Sequence, residues 1–195
     1  MKLSGYAKAG FSCIGLICLL VLSGVPAFAA GDYSKYVMDK QYFSCDIPSA
    51  WSLERTPEQD EDYRIYEIQL LAPKGGAFIY VSYYTKDNKD FWGYEDFLKR
   101  NSRNVAGETK NSRENYGPVK ESGLNGRKAF ELERDRLVFL HPESKSDESA
   151  AIRELFYVAP SSDGGFYVLH YSAPKALYDE YLPVLKRIAS TFKGL

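Results

Sequence analysis

The sequence predicts an α+β fold, a central antiparallel sheet covered by helices on both faces, that is, an α/β/α sandwich. Three observations carry this. Several short segments alternate apolar and polar residues with a period of two and are separated by turns bearing glycine or proline. Two of these segments, 77–85 and 166–172, are apolar on both faces, which places them centrally in a sheet covered on each side. Two other segments, 94–106 and 175–192, switch to three- and four-residue spacing and read as helices.

Taken in order, 40–47 alternates, with Phe43, Cys45 and Ile47 on one face and Tyr42, Ser44 and Asp46 on the other. A turn at Pro48 leads to a short strand at Trp51-Ser52-Leu53, and the acidic stretch Glu58 to Asp62 reads as a loop. Residues 63–72 form a strand with Tyr66, Ile68 and Leu70 in phase. Pro73-Lys74-Gly75-Gly76 then closes a hairpin into 77–85. In the helix 94–106, Tyr94, Phe97, Leu98 and Val105 make the apolar stripe, and Glu95 and Asp96 suit the positive end of the helix dipole.

Asn125-Gly126 is a strong hairpin signal, joining 116–122 to a long strand from Arg127 to Leu140. On that strand Phe130 and Leu132 share a face with Arg134 and Arg136, while Glu131, Glu133 and Asp135 share the other. Such a charge-laced pattern reads as an exposed edge. A charged loop, 141–149, precedes a strand at 150–159. A Gly-Gly turn then leads to the last strand, 166–172. The final helix carries Pro183, which predicts two short helices or one bent one.

Residues 1–30 read as a secretory signal. Lys2 and Lys8 precede an apolar run from Phe11 to Val25. Pro26 then breaks the run before Ala27-Phe28-Ala29, a small-x-small cleavage pattern. The expected product is one domain, 31–195, that is periplasmic or secreted and has no membrane span after cleavage. It retains only Cys45 of the three cysteines, so no intramolecular disulfide can form. The whole chain carries 25 Lys+Arg against 26 Asp+Glu, a formal net charge of −1. With no basic tract, this argues against nucleic-acid binding driven by phosphate neutralisation.

Candidate sites weigh differently. Cys45 lies in phase with apolar neighbours and reads as a buried small hydrophobe rather than a nucleophile. The spacing of one cysteine, His141 and His170 fits no zinc site. The acidic stretch lacks the spacing of a calcium loop, so no metal or cofactor is expected. No phosphate loop, dinucleotide-binding glycine motif, nucleophile elbow or metalloprotease helix occurs. The binding candidates are Asp60 and Asp62 in the acidic stretch, the aromatics Trp92 and Tyr157, and His170 on the last strand.

The segments YFSCDIPSAW (42–51), FIYVSYYT (78–85), WGYEDFLKRN (92–101) and GLNGRKAFEL (123–132), with the closing FYVLHYSAPKALYDEYLPVLKRIASTF (166–192), resemble the PsbP-like fold family in layout over about residues 40–193. That family includes photosystem II accessory proteins, a nuclear-transport factor that binds a small GTPase, and exported bacterial proteins. The resemblance implies the α/β/α sandwich and a non-enzymatic binding or assembly role, here in the cell envelope with a protein or small-ligand partner. It carries no functional residue over to this chain. The alternative is a small periplasmic hydrolase with a polar cleft.

Overall fold

The computed structural model describes residues 32–141, 143 and 147–195. The secretory signal expected over 1–30 lies outside the described residues, as does part of the charged loop after His141. Two sheets make up the fold. The smaller has three strands in the order β1 (Tyr33–Val37), β2 (Phe43–Pro48) and β11 (Lys193–Gly194). The larger runs β3 (Ser52–Glu54), β4 (Ile65–Leu71), β5 (Phe78–Tyr84), β10 (Phe166–Pro174), β9 (Ser149–Pro160), β8 (Arg127–Phe139) and β6 (Glu114–Tyr116), with β7 (Lys120–Leu124) also paired to β8. Every pairing is antiparallel. β5 and β10, the segments apolar on both faces, are central, as their patterning requires.

Apolar side chains divide between the two faces of the large sheet. On one face Ile79, Val81, Tyr83, Tyr167, Leu169 and Tyr171 pack with Tyr178, Tyr181, Val184, Leu185 and Ile188 of helix α3 (Lys175–Thr191). Cys45 and Phe43 of the small sheet join this cluster. On the other face Leu132, Phe156, Val158, Phe166 and Val168 pack with Phe97 and Leu98 of helix α2 (Tyr94–Asn101).

Several local expectations are corrected. The acidic stretch 58–62 is not a loop but part of helix α1 (Pro57–Tyr63). Proline at its first position is already set to helical φ. Asp60 is buried and fixed by Arg55, whose Nε and Nη2 donate to it at 3.0 and 2.8 Å. Helix α2 stops at Asn101, leaving Val105 exposed. There Asn101 donates to the Phe97 carbonyl and a turn closed by Asn104 follows. Strand β8 is not an edge, because β9 pairs with it on one side and β6 and β7 on the other. Of the two readings offered for the last segment, two short helices falls: α3 is a single helix with Pro183 inside it and buried residues on both sides of the proline. Strand β1, which the alternation does not signal, pairs with β2.

Candidate functional site

The face of the sheet bearing α2 is open beside that helix, and a groove lies there. It consists of two adjoining cavities of about 280 and 230 Å³ that share Glu67, Tyr80 and Tyr84. The first extends towards α1 and is lined further by Glu54, Arg55, Asp60, Tyr63 and Asp90. The second extends towards α2 and is lined by Phe97, Asn101, Arg134, Phe156 and His170, among others. The register sets this out. Glu67 of β4 faces Ser82 of β5, which faces Val168 of β10. Tyr80 faces His170, which in turn faces Phe156 of β9. Directly opposed residues share a face, so the sheet lays these side chains out in a row.

Glu154 of β9 is the most heavily bonded group on this face. It is 1 % exposed. Arg134 Nη2 donates to it at 3.2 Å, and His170 Nε2 lies 3.0 Å away. Arg136 adds an ion pair, with Nε at 2.9 Å. Burial acts to raise the pKa of this carboxyl, but the bonds from His170 and Arg134 outweigh it and hold the value at about 2. The pKa of His170 is shifted down as well, for a different reason. Burial lowers its pKa, and the nearby carboxylate only partly offsets this. A neutral ring donating from Nε2 satisfies that arrangement. The ring is stacked on Phe156 at 4.1 Å between centroids, and Tyr80 lies on its other flank at 5.9 Å. Arg134 Nη1 also donates to Asn101 at 3.2 Å, tying α2 to the cluster.

Glu67 is treated differently. Burial raises the pKa of its carboxyl, opposed by the Ser82 hydroxyl, which donates to it at 2.6 Å, and reinforced by Asp60 nearby. Among the described residues no Lys, Arg or His forms an ion pair with it.

Of the residues marked in the sequence, Asp60 and His170 line the groove, one at each end. Trp92 is 95 % exposed, one residue from Phe91, which lines the second cavity. Asp62 is exposed on α1. Tyr157 is half-buried on the opposite face, against the α3 cluster. Cys45 is buried in that same cluster, away from His170, and burial pushes its thiol up to about 12. Glu67, Ser82, Arg134 and Glu154 were not singled out from sequence. Their only signal is a polar residue within an otherwise apolar strand, as in YVSYY (80–84) and ELFYVA (154–159).

Among the described residues no group of three His, Cys, Asp or Glu is placed to hold a metal, and no helix is long and apolar enough to cross a membrane. By sequence, no family model and no curated protein matches the chain. By structure, the chain is similar to cyanobacterial PsbP (CyanoP) from Synechocystis sp. PCC 6803. The TM-score is 0.56 with 11% identity, over 96% of this chain and 98% of that one. It is also similar to a protein from Bacteroides thetaiotaomicron, with a TM-score of 0.51 and 11% identity over 83% of this chain and 48% of that one. The Ran-binding protein Mog1p of Saccharomyces cerevisiae follows at a TM-score of 0.49 and 8% identity, over 85% of this chain and 96% of that one. Identities this low speak of architecture and not of activity. The match along nearly the whole of CyanoP, set beside the element order above, gives this chain the PsbP-like fold.

Proposed function

We propose that the protein is an exported, non-enzymatic binding or accessory module of the cell envelope, which takes a protein or small-ligand partner in the groove between α1 and α2. In this reading the fold is an α/β/α sandwich whose second helical layer is left open at the groove. The observation that carries it is the state of the polar groups there. Arg134, Arg136 and His170 converge on Glu154, and the Ser82 hydroxyl donates a hydrogen bond to Glu67, so these side chains bind and orient one another. A hydrolase needs an activated nucleophile held against a base. Cys45 is protonated at neutral pH and sits in the cluster on the opposite face from His170, and Ser82 is bonded to a carboxyl rather than to an imidazole. Rigid strands carrying a concave polar surface suit recognition.

The experiment is expression of the tagged full-length chain, with fractionation, intact mass and crosslinking capture. The expected result is a soluble exported product lacking about the first thirty residues, the usual signal length, and a partner whose capture falls when Arg134 or Trp92 is replaced. Retention of Met1, or capture indifferent to every groove substitution, overturns the reading.

A further inference from the structure

Asn125 lies in the turn between β7 and β8 and is the only asparagine of the chain that a glycine follows. The turn holds Asn125 at φ 45° and Gly126 at φ 82°, and both residues are exposed. The Asn125 side chain nevertheless has a structural partner far along the chain. Its Nδ2 donates to the Phe192 carbonyl at 2.8 Å. Arg127 donates to the Gly194 carbonyl at 2.7 Å and also to the Leu195 oxygen. The Leu195 nitrogen donates to the Tyr167 hydroxyl at 2.8 Å. These bonds latch the segment 192–195 in place. Phe192 is 1 % exposed, its ring against Phe43 and Tyr167, and β11 completes the small sheet beside β2.

An asparagine before a glycine carries its own reaction. The Gly126 nitrogen attacks Cγ of Asn125 and a cyclic imide closes. The bond from Cγ to Nδ2 breaks, and Nδ2 leaves as ammonia with the proton that the glycine nitrogen gives up. Water then opens the imide at either carbonyl, which yields aspartate or isoaspartate. Glycine favours the first step because no side chain crowds its nitrogen or restricts its backbone. Cyclisation requires the turn and the Asn125 side chain to rearrange, and the bond to Phe192 resists this while β11 is docked. The reaction therefore proceeds from the undocked segment. Opening of a two-residue strand is a local fluctuation, which costs far less than global unfolding.

We propose that Asn125 is a site of spontaneous deamidation whose conversion unlatches β11. An aspartate at 125 has no donor for the Phe192 carbonyl and sets a carboxylate against it. An isoaspartate also lengthens the main chain, in a turn whose length fixes the register of β7 on β8. Either product leaves the segment 192–195 to Arg127 and Tyr167 alone. Phe192 belongs to the cluster under α3 and not to the groove face, so the site stands apart from the groove's role in binding.

The test is ageing of the purified chain at mildly alkaline pH, followed by peptide mapping that resolves asparagine, aspartate and isoaspartate. Asn125 is expected to convert ahead of Asn101 and Asn111, which precede serine. Arg127→Gln and, separately, Tyr167→Phe loosen the segment without touching the Asn-Gly pair, and each should speed conversion of Asn125 by about threefold or more. Asn125→Asp should speed hydrogen exchange in 192–195 and leave the amides of β9 and β10 unchanged. Circular dichroism of each variant separates unlatching from loss of fold, and the second loosening variant serves if the first does not fold. If Asn101 or Asn111 converts as fast as Asn125, or if Asn125 stays intact in the native and loosened chains after the urea-unfolded chain has converted, the modification site is wrong. If neither loosening variant changes the rate, or if Asn125→Asp leaves exchange in 192–195 unaltered, the coupling to β11 is wrong and the proposal falls with it.

Discussion

Glu67 and Glu154 lie on the same face of one sheet, both largely withdrawn from water, and their surroundings drive them in opposite directions. Glu154 is held ionised, at a pKa of about 2, by Arg134, Arg136 and His170. Glu67 has a serine hydroxyl as its donor and is pushed up instead. The difference separates two uses of a buried carboxyl. One ties β8, β9, β10 and, through Asn101, helix α2 into a single network. The other, bonded to the Ser82 hydroxyl, lies where the two cavities of the groove meet.

The largest effect should come from breaking the first arrangement. Glu154→Ala leaves two guanidiniums without their carboxylate, and removal of one partner from a buried pair typically costs about 3–5 kcal/mol. Urea denaturation at neutral pH checks this, and a loss below about 1 kcal/mol, the range of exposed pairs, would show that the cluster is solvated in practice.

Acid should act through the same group. The folded pKa of Glu154 is depressed relative to its ordinary 4.5. Its contribution is therefore complete above the unfolded value and is lost as pH falls through the folded one. The difference in stability between the native chain and Glu154→Gln should be constant above about pH 5 and shrink steadily towards pH 2. A gap that does not change with pH would locate the stabilisation in packing rather than in charge.

Glu67→Gln should carry the opposite sign. A carboxyl whose folded pKa is raised favours the folded state when protonated and opposes it as pH rises through that value. The amide should stabilise the protein at neutral pH by about 0.5–2 kcal/mol, the usual yield of a single stabilising change. The gain should vanish in mild acid. Destabilisation at neutral pH would show that the bond from Ser82 outweighs the cost of burying the carboxyl.

The contrast between these two residues was not legible in the sequence, and the reason is physical. Alternation reports which face a residue occupies, and it placed Ile79, Val81, Phe43 and Cys45 correctly because burial of apolar groups is a property of each strand alone. The Asn125-Gly126 turn and the central position of 77–85 were legible on the same grounds. Glu67 and Glu154, however, acquire their character from residues 15 to 20 positions away, Ser82 and Arg134, which only the strand register brings alongside. The β8 charges misled for the same reason. Arg134 and Arg136 alternate with acids as an exposed edge would, yet β6 and β7 cover that side of the strand and Glu154 lies under the arginines. The acidic stretch 58–62 lies in a helix that begins at Pro57 and carries Asp60 to Arg55, a contact no periodicity announces.

The smallest effect on stability should be at the rim. Trp92 is 95 % exposed, whereas Trp51 is buried with its ring edge-on to Tyr181 at 5.5 Å. Replacing Trp92 by alanine removes almost no buried surface, so unfolding should shift by less than about 0.5 kcal/mol, as for surface changes in general. Its emission should be that of an indole in water, and its loss should leave a blue-shifted spectrum from Trp51. Yet a large exposed aromatic one residue from the groove wall is the type of side chain that dominates binding when it is covered. If a captured partner quenches or shifts the Trp92 emission and Trp92→Ala weakens capture without altering the urea midpoint, the rim belongs to the binding surface. If partner binding leaves that emission untouched, recognition is confined to the groove floor, where Glu154 and Glu67 lie.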